Sequence, residues 1–141
     1  MLVLDSEHEP LHSVEWSVDA ARDGVAEIAA EACAVGANDP WRMHPDDVAD
    51  GERNPARASC LYFGAAGVLL ALDWLARHAG TTSMPNSAER TREVRELHAR
   101  EPELAASHPS WFVGSSGVEA VDWLLGEGDV ATVADHLTRA I

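Results

Sequence analysis

Two short stretches, "YFGAAGVLLALDWL" from Tyr62 and "FVGSSGVEAVDWLL" from Phe112, set the strongest limit on what this chain can fold into. Gly64 recurs as Gly114, Gly67 as Gly117 and Val68 as Val118, each fifty residues on, while the Asp-Trp-Leu endings return one residue early. A period near fifty residues, each unit joining a buried helix to an exposed one, is the sequence mark of stacked helical hairpins. An internal glycine costs a helix roughly 1 kcal/mol relative to alanine. Two of them in a first turn therefore point to a backbone that a loop or a neighbouring helix approaches closely. The same spacing makes a poor phosphate cradle, because no lysine follows it, no strand pattern precedes it and it occurs twice.

The remaining chain reads as helix and loop within a single all-α domain. Residues 1–12 are irregular, 13–35 an outer helix, 36–58 a long loop, 59–108 a first repeat and 109–141 a second, incomplete one. In the outer helix Val14, Val18, Ala21, Val25, Ile28 and Ala32 alternate at intervals of four and three, an amphipathic stripe with Ser13 as N-cap and Gly36 as stop. The long loop is rich in Pro, Gly, Asp and Asn, and Trp41 and His44 are the residues that would pin it over the helix ends. From Val68 to Leu75 only Asp73 is polar, which predicts a helix buried on most sides. That run is broken by Asp73 and ends at Arg77 and His78, too short to cross a bilayer. Val94, Leu97 and Leu104 give the next segment a thin apolar edge, a surface helix capped at Asn86 or Ser87 with Glu89 near the favourable end of its dipole. Val130, Val133, Ala134, Leu137 and Ile141 mark a last stripe that meets no helix-ending signal, so the text reads as cut within an element.

Charge narrows the partners. The formal net charge is -14, and all ten basic residues are arginines. Nucleic acid and anionic lipid are bound by neutralising phosphates with Lys and Arg, so neither is an expected partner. The first ten residues meet acids and proline early and lack the basic and apolar regions of a secretory signal, which reads as a cytoplasmic chain.

Candidate chemistry is sparse. Cys33 and Cys60 are too far apart in sequence for a short metal or redox motif and read as buried structural thiols. His44, Asp46 and Asp47 offer a metal only two or three ligands from one loop, and the loop-pinning reading is preferred. His78, His98, His108 and His136 stand singly and read as solvated. Asp73 and Asp122 each precede a Trp in a glycine-led helix; packing explains the pair, with each Asp held by a loop amide or an Arg and each Trp filling space between helices.

The segments "WRMHPDD", "SCLYFGAAGVLLALDWLARHAG" and "SWFVGSSGVEAVDWL" together resemble the N-terminal part of the lanthionine synthetase C-like (LanC-like) proteins. The resemblance spans about residues 13–141. It implies an α/α toroid of helical hairpins, of which this chain would hold the first two to three, with inner helices headed by Gly64, Gly67, Gly114 and Gly117. Enzymes of that family add a peptide Cys thiol to a dehydrated Ser or Thr, with zinc held by two Cys and a His lowering the thiol pKa. Those ligands belong to later repeats, and one of the Cys is directly followed by the His. Neither Cys33 nor Cys60 precedes a His, and Cys60 stands where the family commonly has Ser. No catalytic, cofactor or metal residue is therefore carried over.

The resulting expectation is an N-terminal portion of a LanC-like protein that lacks the zinc centre, with a peptide substrate or a chain supplying the missing repeats as partner. The alternative is a small helical-repeat module that binds protein or peptide without catalysis. A fragment of an α/α-toroid carbohydrate enzyme is a third reading, and its acidic pair is not found. An incomplete ring would leave inner helices unpaired near Trp123, which predicts self-association or marginal stability. Elemental analysis of the purified protein is expected to find no stoichiometric zinc. One tight zinc per chain would return Cys33, Cys60 and the histidines to candidacy.

Overall fold

The computed structural model describes residues 15–37, 41, 57–103, 109–126 and 128–139. The described residues form five helices and no strand: α1 (Val18–Gly36), α2 (Ala65–Ala79), α3 (Ser87–Arg100), α4 (Ser115–Leu124) and α5 (Val130–Arg139). Helix α3 packs on both α2 and α4, α2 also meets α4, α1 reaches α2, and α5 lies on α4. One core joins the first four, built from Ala29 and Cys33 of α1, Leu69 and Leu72 of α2, Val94 of α3, and Val118 and Val121 of α4.

Helix α1 departs from the sequence reading in two ways. It starts later, because the Ser17 hydroxyl accepts from the Ala20 amide at 3.0 Å and so caps the helix at Ser17; Ser13 lies outside the described residues. Its apolar stripe is not its buried face: Val18, Val25 and Ile28 are exposed, and Ala29, Cys33 and Gly36 are buried. These small residues at spacings of four and three let α1 approach closely through its C-terminal half. The helix ends at Gly36 as the sequence reading has it, and that glycine also serves packing. A Cβ there would lie 2.2 Å from the Trp41 indole, whose Nε1 donates to the Ala32 carbonyl at 2.9 Å.

Gly64 and Gly114, both N-caps, have nearly the same extended backbone, φ -120° with ψ -176° and φ -124° with ψ -171°. Neither cap has a side chain to offer the first-turn amides, and at α2 the loop supplies carbonyls instead. Ala65 N–H donates to Ala58 O at 2.9 Å and Ala66 N–H to Ser59 O at 3.2 Å. At α4, Ser116 Oγ donates to Pro109 O at 3.0 Å, fifty residues after Ser59. The second glycine of each pair then explains itself. A Cβ on Gly67 would sit 2.1 Å from the Leu61 carbonyl oxygen, and one on Gly117 would sit 2.0 Å from that of Trp111.

Helix α2 is less enclosed than its composition predicts. Ala65, Ala66, Leu69 and Leu72 are buried, but Ala71 is exposed and Trp74 is 56% exposed. At the far end of the chain Val133 of the predicted α5 stripe is buried, whereas Val130 and Ala134 are exposed; the Leu137 side chain and Ile141 lie outside the described residues.

These contacts order the effects of adding a methyl group. Gly67→Ala and Gly117→Ala are expected to destabilise by about 3 kcal/mol each, since a rigid backbone carbonyl must move. Gly24→Ala, in α1 with nothing within 4 Å, is expected to stabilise by roughly 1 kcal/mol through helix propensity alone. Urea unfolding of the three variants measures the contrast.

Candidate functional site

The two glycine turns lie side by side. Tyr62 N–H donates to Phe112 O at 3.0 Å, and the Leu61 side chain stands 3.1 Å from where a Gly117 Cβ would be. Tyr62 packs edge-on against both Phe63 and Phe112, with ring centroids 6.0 and 6.3 Å apart. These turns therefore present an exposed aromatic rim of Tyr62, Phe63, Trp111 and Phe112. Beside it an open apolar groove of about 530 Å³ is lined by Leu61, Gly67, Leu70, Ala71, Trp74 and Leu75. Such a surface offers hydrophobic and aromatic contact, with the Tyr62 hydroxyl among its polar groups.

Beneath the first turn lies a polar cluster that the sequence reading missed. His98, expected in solvent, is buried, with Nδ1 2.8 Å from Ser59 Oγ and 3.2 Å from a Glu103 carboxylate oxygen. The Ser59 hydroxyl donates to the same carboxylate at 2.9 and 3.0 Å, and the amides of Ser59 and Cys60 donate to Glu103 Oε1 as well. Spacing could have found the histidine, for it follows Val94 by four and Thr91 by seven, on the buried side of α3. The triad-like residue types do not make a triad. In a nucleophilic serine site the hydroxyl meets one ring nitrogen and the carboxylate the other. Here both meet Nδ1, and Ser59 is 0% exposed. The cluster instead ties the end of α3 to the loop that leads α2.

Glu103 is held at about 2. Burial raises its pKa, and the hydrogen bonds from His98, from backbone amides and from Ser59 outweigh that and lower it.

The other candidate residues are spread out. Asp73 pairs with Arg77 of its own helix on the surface. Asp122 is 1% exposed and accepts from Arg95 of α3 at 2.8 Å through Oδ2, while Oδ1 has no partner among the described residues. The two carboxylates thus sit in different settings, and their tryptophans do not fill space between helices as the sequence suggested. Trp74 stacks on His78 at 4.6 Å in solvent, and Trp123 is half-exposed. Both thiols are buried. Burial pushes the Cys33 pKa up, and burial with the Glu103 charge raises that of Cys60 against hydrogen bonds from backbone amides. A protonated thiol is a poor metal ligand. Among the described residues no three His, Cys, Asp or Glu side chains gather as a metal would require. His44, Asp46, Asp47 and His108 lie outside the described residues, as does the side chain of His136. Among the described residues no helix is long and apolar enough to cross a membrane.

Compared with known protein families, with curated proteins and with solved structures, the chain matches none of them.

The depressed Glu103 pKa fixes the sign of an acid effect. Its contribution is fully present above the ordinary value of 4.5 and is lost as pH falls toward about 2. Glu103→Gln is expected to lower stability at pH 7 by up to about 3 kcal/mol. The gap from wild type should close by pH 2, as read from thermal melts across that range.

Proposed function

We propose that this chain forms part of the wall of a LanC-like α/α toroid and helps to hold a peptide, leaving the thioether chemistry to zinc-bearing repeats. The observation that carries the reading is the pair of glycine turns. Two helices fifty residues apart begin with the same backbone geometry, and each is closed by a loop carbonyl over its second glycine. Stacked hairpins built by repetition have that property, because each unit solves the same packing problem as its neighbour. The sequence resemblance supplies the family, and the aromatic rim supplies a surface suited to an extended peptide. Rigid aromatic side chains give large contact area at small entropic cost.

In this reading the buried chemistry of the chain is structural. Ser59, His98 and Glu103 fasten α3 to the turn of α2, and Arg95 with Asp122 fastens α3 to α4. Both devices hold the two turns in register, and the register sets the rim.

The test is binding without turnover. A dehydrated, cysteine-containing peptide is expected to change the tryptophan fluorescence saturably, while mass spectrometry finds no thioether. Tyr62→Ser, at an exposed rim position, is expected to weaken binding about tenfold, as loss of one aromatic contact would. An unsaturable response, or thioether formed by the chain alone, would overturn the proposal.

A further inference from the structure

Among the described residues, the same face is buried in one glycine-led helix and open in the other. Gly117, Ala120 and Val121 of α4 are buried, and the Leu61 side chain of the preceding turn lies against Gly117. The positions fifty residues earlier are Gly67, Leu70 and Ala71; the first two are half-buried, the third is exposed, and all three line the open groove. No residue of α1 lines that groove. The group that lies against Gly117 has its own counterpart. Fifty residues after Leu61 comes Trp111, 42% exposed, and fifty after Tyr62 comes Phe112, 59% exposed. One molecule therefore carries a hole beside α2 and an unused knob at the turn of α4.

We propose that copies of this chain associate head to tail, with Trp111 of one copy seated in the Gly67 groove of the next. The contact repeats between molecules what the chain does within itself. Tyr62 N–H donates to Phe112 O at 3.0 Å inside one copy. Across the junction Phe112 N–H donates to the Tyr62 carbonyl of the following copy. A second copy is the occupant because the complementary edge is already part of this sequence, in the register that the internal pair displays. Such a contact is heterologous, so it builds rings or open chains rather than two-fold dimers. A net charge of -14 opposes it, which makes association stronger as salt rises and screens that repulsion. The inference rests on the equivalence of the two glycine turns and stands independently of the peptide-holding role.

Sedimentation velocity of the full chain over rising concentration, at low and high salt, tests it. Ala71→Glu blocks the hole and Trp111→Glu removes the knob, both at exposed positions. Wild type is expected to form dimers and larger species, more at high salt, while each variant alone stays monomeric. An equimolar mixture of the two variants keeps one good hole and one good knob, and should give a dimer and nothing larger. Circular dichroism melts establish that both variants are folded, and Trp111→Ser replaces the glutamate variant if that one is not. A wild type that is monomeric throughout would overturn the inference. So would a mixture that stays monomeric, or association lost with Ala71→Glu but kept with Trp111→Glu, which marks a two-fold contact or a different occupant. The peptide experiment reads fluorescence and this one reads sedimentation of wild type and the Ala71 and Trp111 variants, so failure of the one and failure of the other are told apart.

Discussion

A backbone carbonyl resting on a helix that has no side chain beneath it is the contact on which the rest of this structure depends. The Leu61 oxygen over Gly67 and the Trp111 oxygen over Gly117 fold each loop back onto the helix it precedes. The fold-back brings loop carbonyls to the first-turn amides of α2, which have no capping side chain. It also places Leu61 against Gly117 and Tyr62 beside Phe112, so the turns become partners. Two glycines that weaken a helix as a rod strengthen it as part of an assembly. The propensity cost is roughly 1 kcal/mol per glycine, and overpacking would cost more.

The polar interior follows from that geometry. Folding the loop over α2 buries the amides of Ser59 and Cys60, which then need acceptors. Glu103 supplies them, reaching in from just beyond α3 with His98 alongside. A carboxylate that accepts several donors stays ionised despite burial, and the direction of its pKa shift reflects that balance. Asp122 and Arg95 join α3 to α4, with the guanidinium partly in water and the carboxylate wholly inside. Both of these carboxylates join separate segments of the chain, so a few acids are put to structural use while most of those among the described residues are exposed.

Much of this was legible in the sequence, and the failures have physical causes. The helices and the close approach at the glycines could be read because period and propensity are local properties. The buried face of α1 could not. Its larger apolar residues, Val18, Val25 and Ile28, make the better stripe on paper, yet the small residues Ala29, Cys33 and Gly36 permit contact with α2 and Trp41. Size mattered more than hydrophobicity. His98 was misread because a histidine was weighed by type, when its place four residues after Val94 put it inside. Glu103 carries little local signal, since Ser59 and Cys60, whose amides donate to it, are more than forty residues away in sequence. The loop around His44 lies outside the described residues, and its reading stands as a sequence expectation.

The link from Ser59 to Glu103 closes a circuit that contains α2 and α3 whole and leaves α4 and α5 beyond it. A segment fastened at both ends can form as a cooperative piece and then serve as a template for the next piece laid against it. Position 109, fifty residues on from Ser59, is a proline with neither hydroxyl nor amide proton, so this clasp belongs to the first unit and the second is laid against a piece already closed. Lengthening the protein would then require no redesign of what was already folded.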